Sequence, residues 1–164
     1  MAQDYLGPIL ARYVEAAIPM LDPPVGRVVY VAPGLEVAWD DCCDGQLHAR
    51  VIQLVPHTSS STRPAAGPPC GVEYWIATIA LGVIRCAHSL NDDGSAPTAA
   101  EVSSDGQQML ADMAVLQQVV LCSPDTWQVL QWLPAGPLGG CHGGEWTLQV
   151  RVPTCGCDVV ATPI

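Results

Sequence analysis

Near the start of the chain, apolar side chains recur at spacings of three and four: Tyr5, Leu6, Ile9, Leu10, Tyr13, Val14, Ala17 and Ile18. That period lines them up on one stripe and predicts an α-helix over residues 4–20 with its stripe against a core. Asp4 can cap the start, Pro8 is tolerable in the first turn, and Pro19, Pro23 and Pro24 end it. The period then drops to two. Residues 26–32, GRVVYVA, read as a strand stopped by Pro33-Gly34, and 35–39 as a short extended piece. Residues 46–55 read as a second strand, with Leu47, Ala49 and Val51 on one face and His48 and Arg50 on the other. The longest strand is expected at 72–88. Trp75, Ala77, Ile79, Leu81 and Val83 make one face; Ile76, Thr78, Ala80, Gly82 and Ile84 make the other, which is mostly small. A strand apolar on both faces is covered on both, so this one belongs at the centre of a sheet.

Thr98 and Glu101, after Pro97, form a capping box for a second helix running to about Cys122. Its apolar stripe is Val102, Met109, Leu110, Met113, Leu116, Val120 and Leu121, and Pro124 closes it. A strand at 126–133, a glycine-rich loop at 134–144 and a strand at 145–152 follow. In the last, Trp146, Leu148, Val150 and Val152 alternate with Glu145, Thr147, Gln149 and Arg151, as in a half-exposed antiparallel strand. Two stretches carry no period: residues 57–69, HTSSSTRPAAGPP, expected as a flexible loop, and an irregular tail at 153–164. The order helix-β-β-β-helix-β-β predicts a single α+β domain over 1–164. Two helices pack on one side of a largely antiparallel sheet of about five strands.

Composition narrows the function. Apolar residues make up 49% and charged residues 13%, a balance that excludes a disordered chain and suggests that partners cover part of the surface. The net charge is -10, and all six basic residues are Arg, spread without a cluster. Grouped Lys and Arg are what nucleic-acid phosphates and anionic membranes require, so neither is an expected ligand. Met-Ala-Gln-Asp at the start is acidic, unlike a signal peptide, and the apolar run between Glu73 and Arg85 is shorter than the roughly 20 residues of a membrane helix. A cytoplasmic protein is expected.

Eight cysteines are many for such a chain: Cys42, Cys43, Cys70, Cys86, Cys122, Cys141, Cys155 and Cys157. Without a secretion signal, reduced thiols come first, late-forming disulfides second and a metal last. Structural zinc favours pairs two to four residues apart, whereas Cys42 and Cys43 are adjacent and Cys155-Gly156-Cys157 is too tight, so no metal or cofactor is expected. Cys42, Cys43, Cys70, Cys86 and Cys141 are the candidates for a thiol cluster or a disulfide, which would join the Cys42–Cys43 region to Cys70 or Cys141. Cys86 with His88, or Cys141 with His142, could be imagined as a nucleophile and base, but sequence nearness supplies none of the geometry. The glycine-rich loop runs into a strand rather than a helix, and the chain has no Lys, so it is a structural turn and not a phosphate cradle. Asp40, Asp41, Asp44, Asp92 and Asp93 crowd turns at spacings that match no calcium loop. No catalytic residues are expected.

Four segments carry a resemblance: Val31-Ala-Pro-Gly-Leu-Glu-Val-Ala-Trp-Asp-Asp-Cys-Cys-Asp-Gly-Gln-Leu; Cys70-Gly-Val; Leu81-Gly-Val-Ile-Arg-Cys-Ala-His; and Gly139-Gly-Cys-His-Gly-Gly-Glu-Trp. In this order, over residues 25–152, they resemble a family of neck proteins in tailed phages of actinobacteria, most closely the tail terminators. The resemblance implies a helix, three strands, a helix and closing strands, assembled as a hexameric ring. The ring caps the tail tube and meets the head-side connector or stopper. The implied partners are further copies of the chain, the major tail tube protein and that connector. Genomic DNA passes without specific binding, no membrane is involved, and the site is the virion neck, reached by assembly in the host cytoplasm. A stopper would be mostly β-barrel and an adaptor mostly helical, so the mixed pattern disfavours both. A small thiol- or metal-dependent binding module is the alternative of a different class.

Two surface expectations accompany the ring. The long loop, with His57, Thr58, Arg63, Pro64 and Pro68, is an expected contact with a neighbouring ring or subunit. The carboxylates Asp40, Asp41, Asp44, Asp92 and Asp93 are expected to line the channel. DNA carries about one charge per 1.7 Å of axis, and an acidic wall repels it only within a Debye length, about 8 Å at physiological salt.

Overall fold

The computed structural model describes residues 4–31, 33–57, 74–90 and 94–153. Helix α1 (Leu6–Ala17) runs into a short 3-10 turn (Ile18–Met20) and is followed by strand β1 (Arg27–Val31). A second 3-10 turn (Cys42–Asp44) leads into β2 (Gln46–His57), then β3 (Tyr74–Cys86), helix α2 (Ala99–Cys122), β4 (Thr126–Leu138) and β5 (Cys141–Pro153). The fold is α+β. The five strands lie in the order β1-β2-β3-β5-β4, with β3 in the middle.

Local signals explain the helix starts. Asp4 Oδ1 accepts the backbone N–H of Leu6 at 3.0 Å and of Gly7 at 2.9 Å. At α2 the capping box is complete: the Thr98 hydroxyl accepts from the Glu101 N–H, and the Glu101 carboxylate accepts from the Thr98 N–H. Both helices lie on one face of the sheet. Ile9, Leu10, Tyr13, Val14 and Ala17 of α1 and Leu116, Val119 and Val120 of α2 share one core with Leu47, Ala49, Ala77, Ile79, Leu81, Val83, Leu148 and Val150. The Trp146 indole, on this face, donates to the carbonyl of Met113 at 3.0 Å and so anchors α2 across β5.

Several particulars differ from the sequence expectation. The buried side of α2 is rotated: Val102, Leu110 and Leu121 are 56–60% exposed, while Asp112 is buried with Leu116, Val119 and Val120. Helix α2 turns a polar side to the sheet near its middle, because Arg85 on β3 reaches across to Asp112. The glycine-rich stretch is a hairpin. β4 continues to Leu138, β5 begins at Cys141, and Gly139 (φ 58°) and Gly140 (φ 80°) make the turn, where two positive φ values match the twist of the flanking strands. β4 is an edge strand, which is why it tolerates Pro134 and Pro137. β1 pairs parallel to β2, whereas all other pairs are antiparallel. A parallel pair needs a crossover, and here residues 33–44 supply it across the face away from the helices. Val37 and Trp39 pack there on Ile84.

His57, expected in the loop, ends β2 and stacks on Tyr74 with ring centroids 4.4 Å apart. The rest of that loop, with Thr58, Arg63, Pro64 and Pro68, lies outside the described residues, as do Cys70, Asp92, Asp93, Cys155 and Cys157. No described helix is long and apolar enough to cross a membrane.

Candidate functional site

The chemistry gathers at the end of the sheet where β2 and β5 begin and β3 ends, on the face that the crossover covers. Cys86 on β3 stands directly opposite Cys141 on β5. The 3-10 turn lays Cys42 and Cys43 over them. Asp41 (φ 50°) and Gly45 (φ 76°) set the direction of that turn, and the Gly45 N–H donates back to the Cys42 carbonyl at 2.9 Å. The structure joins Cys42 to Cys141 and Cys43 to Cys86 as disulfides. Reduced thiols, the first expectation for these four residues, give way to two crosslinks that fasten the crossover to the two central strands. Among the described cysteines, Cys122 is free and exposed.

Beside this clasp lies a buried charge network. His48 on β2 and Glu145 on β5 flank Gly82 of β3 in the strand register. With no side chain at Gly82, they meet over it, His48 Nε2 lying 3.1 Å from Glu145 Oε2. Arg50 grips the same carboxylate with two bonds, Nη2 to Oε1 at 2.6 Å and Nε to Oε2 at 3.1 Å. Burial by itself would raise the Glu145 pKa, but the hydrogen bonds from His48 and Arg50 and the Arg50 charge outweigh it, and the pKa lies below the ordinary value. These groups, with Glu36, Trp39 and Leu133, line a cavity of about 120 Å³. An alanine at 82 would place its Cβ 2.5 Å from His48 ring atoms and 2.6 Å from the Glu145 Cβ. Gly82→Ala is therefore expected to cost about 1–3 kcal/mol by overpacking and to part His48 from Glu145. Urea denaturation checks this, and a variant as stable as the parent would contradict it.

On the helix side, Arg85 donates Nε to Asp112 Oδ2 at 2.6 Å, and Nη2 both to Asp112 Oδ1 at 2.9 Å and to the Pro23 carbonyl at 2.8 Å. Gln108 adds a bond to Asp112 at 3.2 Å and one to the Asp22 carbonyl at 2.9 Å. Nearby, Asp105 accepts from the His88 backbone N–H and pairs with its ring Nδ1, both at 2.8 Å. Burial lowers the His142 pKa, an effect that Asp105 and Asp112 oppose and Arg85 reinforces.

The imagined thiol–imidazole pairs do not form: Cys86 and Cys141 are in disulfides, and His88 is bonded to Asp105. Asp40, Asp41 and Asp44 are exposed on the crossover and its turn, and Asp40 pairs with Arg27 at 3.2 Å. Both charge networks join residues far apart along the chain. Two signals pointed to them: a glycine inside an otherwise apolar strand, which marks a close approach, and an aspartate within the apolar stretch of α2. Compared with protein-family models and with curated proteins, the chain matches none.

Proposed function

We propose that this chain is a structural ring subunit at the head–tail junction of a tailed phage, where it caps the tail tube, joins it to the head connector and lets DNA pass. The observation that carries the reading is the ordered set of four motifs over residues 25–152. The element order, a helix, three strands, a helix and two closing strands, agrees with what that resemblance implies.

The surface favours assembly. Tyr30 on edge strand β1, Ile52 and Leu54 on β2, and Trp127, Leu130 and Leu133 on edge strand β4 are exposed. Edge strands carry unpaired backbone groups, and exposed apolar side chains beside them are what neighbouring subunits cover. Further copies of the chain, in a hexamer, fit this role, with the tail tube protein on one side and the connector or stopper on the other. Asp41 and Asp44 are exposed and available as channel carboxylates, repelling DNA rather than holding it, while the charge of exposed Asp40 is offset by Arg27. A thiol- or metal-dependent binding module is the second reading, favoured by the gathered cysteines.

Purified chain mixed with tail tubes is expected to form a ring on one tube end, seen by negative-stain microscopy. Tubes left bare, or decorated along their length, would overturn the proposal. A monomer in the absence of tubes decides nothing, because the tube can template the ring.

A further inference from the structure

We propose that in its reduced state the chain binds one zinc ion through Cys42, Cys43, Cys86 and Cys141. The sulfurs of Cys42, Cys43 and Cys86 lie within 4.8 Å of one another, and that of Cys141 is bonded to Cys42. Tetrahedral zinc, with zinc–thiolate bonds of about 2.3 Å, holds its sulfurs about 3.8 Å apart. Opening a disulfide of about 2.05 Å to that spacing moves each bonded sulfur by roughly 1 Å, and Cys141, which lies outside the group of three, has to swing inward to supply the fourth ligand.

The ligands come from well-held backbone. Cys86 and Cys141 are cross-strand neighbours in the two central strands. Cys42 and Cys43 sit on a turn tied by the Gly45 N–H to Cys42 and by the Gly26 N–H to the Asp44 carbonyl. Cys43 and Cys86 are exposed, which gives an ion an entry path, while Cys42 and Cys141 are buried and close the far side. Asp41 and Asp44 flank the turn, and their charge favours a cation over an anion.

The chemistry balances in two steps. A low-molecular-weight thiol reduces the clasp: two protein disulfides and four such thiols yield four cysteine thiols and two small-molecule disulfides. Zinc then displaces four protons to give four zinc–sulfur bonds. Disulfides do not persist in a reducing cytoplasm, and there the ion would hold the crossover on the sheet in their place. No C-x-x-C spacing announces this site, because its ligands come from three separate segments.

The test uses the full chain carrying Cys70→Ser, Cys122→Ser, Cys155→Ser and Cys157→Ser, so that only the cluster remains. Reduced anaerobically, loaded with zinc and dialysed, it is expected to retain about one zinc per chain by elemental analysis. Loaded with cobalt(II), it is expected to show the intense visible bands of a tetrahedral thiolate site. Adding Cys86→Ser is expected to lower zinc retention at least about tenfold, with folding followed by circular dichroism. Reduced protein that retains no zinc, folded or not, overturns the proposal. So does retention that Cys86→Ser leaves unchanged, or cobalt spectra of octahedral type.

Discussion

Asp112→Ala is expected to destabilise the protein by about 3–5 kcal/mol, the cost of stripping a buried charge of its partner. Asp112 is 2% exposed and Arg85 7%. Removing the carboxylate takes away both hydrogen bonds that Asp112 accepts from the Arg85 guanidinium and, among the described residues, leaves that charge the Pro23 carbonyl. Gln108 loses a partner as well. The same contacts tie α2, β3 and the turn after α1 together, so the loss falls on the whole end of the domain. Replacing both members, Arg85→Met with Asp112→Leu, is expected to cost less than Asp112→Ala alone, because no charge is then left unpaired in the interior. Urea denaturation of the two variants decides it. An Asp112→Ala protein within about 1 kcal/mol of the parent would mean that water reaches Arg85 and the pair is not sealed.

Removing the Cys42–Cys141 crosslink by Cys42→Ala with Cys141→Ala is expected to lower the stability of the oxidised protein by about 2–4 kcal/mol. The bond joins positions 99 residues apart, and a crosslink of long span removes the most freedom from the unfolded chain. The Cys43–Cys86 bond keeps part of that restriction, and for this reason the expected loss is below the single-crosslink value of about 4.7 kcal/mol for a loop near 100 residues. Both sulfurs also pack in the small cluster with Ile84, Val37 and Trp39, and alanine leaves space there. The expected fall in melting temperature is about 4–16 °C under non-reducing conditions. Cys122→Ala, at an exposed free thiol, is the control and is expected to stay within about 0.5 kcal/mol. A double variant that melts with the control would show that the crossover needs no tether.

Much of the fold was legible from local pattern. The middle of the α1 stripe, Ile9, Leu10, Tyr13, Val14 and Ala17, is buried, since a period of 3.6 has only one way to present those residues to a core, while Ile18 past the helix end is exposed. Apolar residues on both faces of 72–88 predicted a central strand because an uncovered apolar face is costly wherever it lies, and β3 is central. Thr98 and Glu101 marked the start of α2 because a capping box involves only four consecutive residues.

Whatever depends on two distant segments meeting was settled in three dimensions. The parallel pairing of β1 follows from where residues 33–44 cross the sheet, and no property of the strand GRVVYV distinguishes a parallel from an antiparallel partner. Helix α2 offered apolar side chains around much of its circumference, so the buried side was decided by the reach of Arg85 to Asp112 and of Trp146 to Met113. Spacing along the chain argued against a zinc site and offered Cys42, Cys43, Cys70, Cys86 and Cys141 as candidate thiols or disulfides without fixing their pairing. The four sulfurs converge only because the β3–β5 register sets Cys86 against Cys141 and the crossover brings Cys42 and Cys43 over that pair. Periodicity is a property of neighbours within one element and survives in one dimension. Register, crossover path and the pairing of buried charges are properties of the packed whole, chosen by which arrangement leaves the fewest apolar surfaces wet and the fewest charges unpaired.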